Sequence, residues 1–385
     1  MTTVAEPAAT LTGQLLDCDS HLYQDPDVMA EIVGDVGAGF VIELLRGWVG
    51  TPADLAARAR SAQEIWQVKG ISALGSTNAA DRLTALDLLG IRAQLLFPNT
   101  ALRELRVPGP QAQEACRRYN NYALAWTAAA NGRARAVCEL NMSSAEWALA
   151  EAQRVVAAGA RGLLLPCAEP PGGVAFAHST WDPLWALLQE ADVPALIHIG
   201  SGGLVSSDAD DPCMPAREWA NAPQLQARFS DMPGAEERLG PWFVVVAHQA
   251  AELFLTALVM GGVFERFPQL RVGVIEYGAA WFGPLAERLD RHADLLAKVS
   301  EALPLRPSEY LRRNVRVTPF WSEPVDVLVE RYGLRESYVF SSDYPHVEGG
   351  RRPVEVFTSM AAKVDSRFAA EFFVENARLL FPGLT

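Results

Sequence analysis

The five residues Pro194-Ala195-Leu196-Ile197-His198 form a short apolar run that closes on an imidazole, and runs of this kind recur along the chain. Upstream lies a segment of helical spacing at 183–190, and before it another short run at 162–165. Downstream the pattern resumes at 272–276. Further out, strands are predicted at 14–17, 91–97, 134–140, 315–320 and 338–341, and helices at 111–130, 144–158 and 281–296. Strict alternation of strand and helix argues for a parallel sheet, because each parallel crossover needs a covering helix. Eight strands in about 330 residues predict a closed (β/α)8 barrel with insertions, against a doubly wound open sheet as competitor.

Residues 243–248 fit either a ninth strand or the opening of a long helix. Pro241 just before them suits a helix start, and the eight-strand count then closes without a spare. Two stretches exceed ordinary connections. One, 22–78, follows the first strand and carries Trp48 and Trp66; the other, 200–240, follows the fifth and carries Asp208, Asp210 and Asp211. Insertions this long in a barrel serve as lids, partner surfaces or solvated decoration. Residues 13–385 then make a single barrel domain behind a loose acidic lead-in, 1–12, which lacks the basic start and apolar stretch of a signal peptide.

Half of the 385 residues are hydrophobic and 21% are charged, a balance that supports a sizeable core. A formal charge of −13 disfavours nucleic acid as a partner, since phosphate contacts need clustered Lys and Arg. No run approaches the roughly 18 uninterrupted apolar residues of a membrane span. Cys18, Cys116, Cys138, Cys167 and Cys213 are odd in number and contain no CxxC pair, which speaks against a disulfide framework or a Cys-rich zinc site. A cytoplasmic enzyme or binding protein is the expectation.

The chemistry gathers at strand ends. Asp19 and His21, two apart along an extended chain just past the first strand, project to the same side. His198 closes the fifth strand, Glu276 ends the run Val272-Gly273-Val274-Ile275, and Asp343 and His346 follow the last strand. Barrel enzymes carry their active sites at the carboxyl ends of the strands. Imidazole and carboxylate without thiolate suit zinc, manganese or ferrous iron. Asp19, His21, His198 and Asp343 already make one metal position, leaving His248, Glu276 and His346 as a second group. Two imidazoles and one carboxylate with open positions form the facial arrangement of non-haem iron that handles oxygen. His178, ahead of a helix entry, and His292, on a charged helical face, are read as structural or solvated.

Taken in order, these motifs resemble the amidohydrolase-related family of metal-dependent decarboxylases and hydrolases on a distorted (β/α)8 barrel. Asp17-Cys18-Asp19-Ser20-His21 is similar to its opening metal motif, and Asp81-Arg82-Leu83 with Gly90-Ile91 to its second-strand block. Arg118-Tyr119-Asn120 and Gly262-Val263-Phe264-Glu265-Arg266-Phe267-Pro268 also fit. So do Ser342-Asp343-Tyr344-Pro345-His346 and Glu375-Asn376-Ala377-Arg378. The resemblance implies Asp19, His21, His198 and Asp343 as ligands of a first metal, with His248 beside it as ligand or acid–base group. Two departures stand out. No Lys ends the fourth strand, so the bridging carbamylated Lys of binuclear hydrolases is missing, and Gln24 stands where many relatives place Glu.

The family offers three chemistries. Hydrolysis would use metal-bound water with Asp343 taking a proton. Decarboxylation of an aromatic or cyclic acid would use one Zn or Mn and an acid that protonates carbon. A small branch holds two Fe ions and hydroxylates an unactivated carbon with dioxygen and a reductant. The seven donors, Asp19, His21, His198, His248, Glu276, Asp343 and His346, favour the last, with His248 and Asp343 as catalytic groups and a hydrophobic small-molecule substrate. A non-catalytic barrel subunit would be expected to have lost such donors. Trp48, Trp66, Trp281 and Phe320 are candidate pocket walls, and family habit implies a homodimer.

Overall fold

Parallel strands buried on both faces need nearly continuous apolar sequence, and the short runs supply it. In the computed structural model, which describes residues 11–37, 39–99, 105–167, 170–200, 222–225, 241–296 and 303–384, eight strands form one parallel sheet. They are β1 Leu15–Asp17, β2 His21–Leu22, β3 Ile91–Pro98, β4 Ala134–Glu139, β5 Gly162–Leu164, β6 Ala195–His198, β7 Val272–Ile275 and β8 Val315–Val317. The order is β1-β3-β4-β5-β6-β7-β8, with β2 lying against the far end of β3.

Closure differs from the even eight-strand expectation. Residues 338–341 form no regular strand; they bridge β8 to β1 by single hydrogen bonds, Val339 N to Val317 O at 3.1 Å and Cys18 N to Phe340 O at 3.0 Å. The reason is tertiary. Phe340 N donates to Phe372 O at 3.2 Å instead of to a neighbouring strand. The ring continues upward through Asp343 N to Asp19 O at 3.0 Å and His21 N to Tyr344 O at 2.8 Å. A (β/α)8 barrel of amidohydrolase type results.

The barrel interior is apolar. Leu16, Leu95, Val137, Leu164, Leu196, Ile275 and Val339 meet there and pack against Leu380 and Phe381. Gly162 and Gly273 make room for Leu196, since a Cβ at either would stand 2.5 Å from its side chain. Outside run the helices, each with a local start and stop. Asn78 Oδ1 accepts from Ala80 N and Asp81 N to begin Ala79–Leu89, and Gly90 ends it in the left-handed region. Ser144 caps Ala145–Ala157 in the same way.

Residues 243–248 are helical, split between Pro241–Val246 and His248–Met260. Among its described residues the first insertion holds three α-helices, Pro26–Val33, Gly39–Trp48 and Pro52–Arg60, and is tied to the loop after the last strand position. Gly70 N donates to Pro345 O at 2.8 Å and Tyr344 Oη to Leu74 O at 2.7 Å. Residues 1–10, Cys213 and most of the second insertion, with Asp208, Asp210 and Asp211, lie outside the described residues. Among those described, no helix is long and apolar enough to cross a membrane.

Candidate metal centre

The carboxyl end of the barrel collects donors because neighbouring strands end level with one another. The register sets His198 on β6 opposite Ile275 on β7, so Glu276 follows immediately beside it. His198 Nε2 lies 3.1 Å from Glu276 Oε2 and 3.3 Å from Asp19 Oδ1. His21 Nε2 lies 3.5 Å from the same Asp19 oxygen and 3.3 Å from Asp343 Oδ1. His346 Nδ1 sits 3.2 Å from Asp343 Oδ1, and its ring stacks on that of His21 with centroids 3.7 Å apart.

Two groups of potential ligands emerge, each able to bring its donor atoms within 4.8 Å of one another. One is Asp19, His21, His198 and Glu276; the other is His21, Asp343 and His346, and all are buried. The grouping differs from the sequence expectation: Glu276 joins the first set and Asp343 pairs with His346. Strand adjacency decides this, since Glu276 shares an edge with His198 while Asp343 and His346 share one tight turn. His248 joins neither group. It begins a helix, with Nδ1 3.0 Å from Val245 O and Nε2 3.5 Å from Glu252 Oε1, and stacks near Trp281.

The donors suit a cation. His21 Nδ1 faces Pro98 O at 3.3 Å and His198 Nδ1 faces Ile199 O at 2.7 Å, which leaves each Nε2 for the site. Asp19 Oδ2, His21 Nε2 and both oxygens of Asp343 are buried without a hydrogen bond among the described residues. Buried charges left this way are costly unless an ion compensates them. Burial alone would lower the pKa of His21, but Asp19 and Asp343 outweigh it and push it up to about 10. Burial would likewise raise Asp343, yet His346 and His21 hold it well below the usual carboxylate range. The His21 proton thus offsets the flanking carboxylates, and a cation taking over that role would release it. Among the described residues no thiolate joins either group: Cys18, Cys116, Cys138 and Cys167 are buried outside both.

Backbone strain marks the same place. Glu276 and Asp343 adopt φ of 61° and 52°, the left-handed region that non-glycine residues seldom enter. Glu276 N is held by Thr318 Oγ1 at 2.8 Å. Asp343 is held through its neighbour: Asp17, fully buried, accepts from Ser342 N at 2.8 Å, Ser342 Oγ at 2.5 Å and Gln94 Nε2 at 2.6 Å. Arg82 in turn donates to Gln94 Oε1 at 3.1 Å and to His21 O at 2.7 Å. Asp17, Arg82 and Ser342 stand in the motifs that carry the family resemblance without a supporting role assigned to them, and Gln94 and Thr318 were not singled out from sequence. Gln24 is buried with its amide on Leu22 O at 3.1 Å, outside both groups. No Lys follows β5, where the chain reads Leu165-Pro166.

A cavity of about 1080 Å³ opens on Glu276 and is walled by Trp48, Val68 and Phe320. Of the other two aromatic candidates, Trp66 packs edge-on against Tyr344 and Trp281 lies beside His248. Trp321, not anticipated, joins the wall. His178 caps the short turn Ser179–Trp181, and His292 is exposed on Phe282–Leu296.

A family model described as amidohydrolase matches residues 75–383, and the chain belongs to the amidohydrolase family. It is a metal-dependent enzyme of that fold. An amidohydrolase structure from Mycobacterium avium subsp. paratuberculosis K-10 is similar at 20% identity and a TM-score of 0.69, covering 95% of this chain and 98% of that one. The 5-carboxyvanillate decarboxylase of Novosphingobium aromaticivorans, complexed with manganese and 4-hydroxy-3-methoxy-5-nitrobenzoic acid, is similar at 18% and 0.61, covering 95% of each chain. The 2,6-dihydroxybenzoate decarboxylase from Rhizobium is similar at 18% and 0.60, covering 95% and 97%. At these identities the likeness is one of fold.

Proposed function

We propose that the enzyme is a dinuclear non-haem iron monooxygenase that hydroxylates an apolar small molecule. The observation that carries this reading is the pair of adjoining donor groups around His21. The group of His21, Asp343 and His346 is the two-imidazole, one-carboxylate set that suits ferrous iron with open positions. An imidazole Nε2 serves one cation, so His21 would belong to one ion and a carboxylate would be the group for both to share. Asp19 and Asp343, on either side of His21 Nε2, are the candidates.

When bound, ferrous ions supply the redox capacity towards dioxygen that no side chain here has. The overall step inserts one oxygen atom into a C–H bond and releases the other as water, drawing two electrons and two protons from an external reductant. The chain's own residues hold the donors, orient the imidazoles through Pro98 O and Ile199 O, and wall the approach with Trp48, Val68 and Phe320 so that an apolar carbon reaches Glu276.

A second reading is a Zn- or Mn-dependent decarboxylase of an aromatic acid, favoured by the activities and the manganese named for the similar structures. It needs one cation and an acid to protonate carbon. His248, the acid implied by family resemblance, stands outside both groups, and that reading leaves His346 without a task. Elemental analysis separates the two: two irons per chain and product formation only with oxygen and reductant are expected. One manganese or zinc per chain, with carbon dioxide released from an aromatic acid under anaerobiosis, would overturn the monooxygenase.

A further inference from the structure

We propose that the substrate is an amphipathic anion whose negative end is held by Lys69 and Arg351, while its apolar body runs past Trp48 and Phe320 towards Glu276. This deepens the proposed function and rests on the cavity serving the metal centre.

Charge is the first argument. The chain carries −13 overall, yet the cavity is lined by Arg60, Lys69, Arg351 and Arg352 beside Glu276 and Glu348 among the described residues. Arg60 and Arg352 are paired with Glu64 and Glu355 at 3.0 and 3.3 Å, which leaves Lys69 and Arg351 as the cations for a ligand. Glu276 already belongs to a donor group. A cleft lined by one sign of charge concentrates ligands of the other, and more so where low-dielectric walls focus the field.

Geometry is the second. Lys69 comes from the first insertion and Arg351 from the segment after the site loop, so two separate parts of the chain bring cations to one wall. Lys69 Nζ donates to Gly350 O at 2.9 Å, which anchors the ammonium on the backbone next in sequence to Arg351 and uses one of its three donors. A buried ammonium is costly unless an opposite charge meets it. Burial chiefly lowers the pKa of Lys69, to about 8, with Arg351 adding to the fall and Asp343 and Glu348 opposing it. An anion meeting Lys69 on this wall would chiefly offset its desolvation. Carboxylate and phosphate share the chemistry required; a guanidinium beside an ammonium suits either.

Calorimetric titration of the metal-loaded protein with octanoate, octyl phosphate and 1-octanol tests the assignment. One of the two anions is expected to bind about tenfold or more tightly than the alcohol, and the better of them tells carboxylate from phosphate. Lys69→Met should remove about tenfold of that preference and Arg351→Gln a smaller part, with 1-octanol unaffected. Arg351 is exposed, so its variant carries the test if Lys69→Met fails to fold. Equal binding of anion and alcohol overturns the proposal. So does a preference that survives both variants, or one abolished by chelation yet intact in Lys69→Met, which would put the anion on the metal. Metal content in the same preparations keeps the two readings apart. Two irons without charge preference sink this inference alone, whereas one metal ion with the preference sinks the monooxygenase alone.

Discussion

Glu151 and Asp343 are both buried carboxylates, at 1% and 6% exposure, but the chain treats them in opposite ways. Glu151 sits in the middle of Ala145–Ala157 and takes four hydrogen bonds. Asn120 and Arg154 Nη2 reach one oxygen at 2.8 and 2.6 Å, and Arg154 Nε and Arg117 reach the other at 2.8 and 3.4 Å. Asp343 sits on a strained left-handed backbone with neither oxygen hydrogen-bonded among the described residues, flanked by the imidazoles of His21 and His346. The first carboxylate is neutralised from within. The second is flanked by imidazoles that serve as metal ligands when neutral, which leaves the neutralising charge to come from outside.

The comparison breaks most visibly if a ligand is removed. His198→Ala or Asp343→Ala is expected to release metal and lower turnover by about 10³-fold or more, while a chelator should no longer shift the melting temperature. Either variant retaining full metal and activity would end the distinction. A finer cut is His346→Ala. Asp19, His21, His198 and Glu276 stay in place in that variant, so metal content should fall from two ions per chain towards one. An unchanged count would show that the His21–Asp343–His346 group holds no ion and return the choice to decarboxylase or hydrolase.

Much of this was legible before the fold was known, for a definite reason. Parallel strands must be apolar along their length, so a polar residue closing such a run, His198 or Glu276, announces the carboxyl rim. Partnership among those residues was not legible, because it depends on which strands end up adjacent and on a turn that places Asp343 over His21. His248 stands apart from both groups because it begins a helix instead of closing a strand, and that helix turns the imidazole towards Glu252. The regular strand expected at 338–341 gave way to a choice no local pattern records, the bond from Phe340 to Phe372.

Ser342→Ala sharpens the comparison at smaller amplitude. Its hydroxyl ties Asp343's backbone to Asp17, and removing it leaves the neighbouring N–H and Gln94 still on Asp17. A loss of about tenfold in metal affinity is expected, the low end for residues that orient ligands, with about 1 kcal/mol of stability lost for the missing hydrogen bond. Metal affinity unchanged within error would mean that Asp343 is positioned without that tie.

The smallest effect belongs to Glu151, and pH reveals it. Burial would raise its pKa, but Arg154, Asn120 and Arg117 together hold it below the ordinary value of 4.5. A carboxylate with a lowered folded pKa binds fewer protons than the unfolded chain as pH drops past 4.5. Its stabilisation is therefore complete above that pH and fades as acid takes the solution through the folded value. Arg154 and Arg117 are 36% and 43% exposed, so solvent screens the pair and the contribution is about 1 kcal/mol. Glu151→Gln should cost about that much at neutral pH and flatten the acid limb of the stability curve, measured with chelator present so that metal release does not overlie it. Metal content should not change at all. A variant at Glu151 that lost metal, or whose acid limb matched the parent's, would show that the two carboxylates are not the separate cases their surroundings make them.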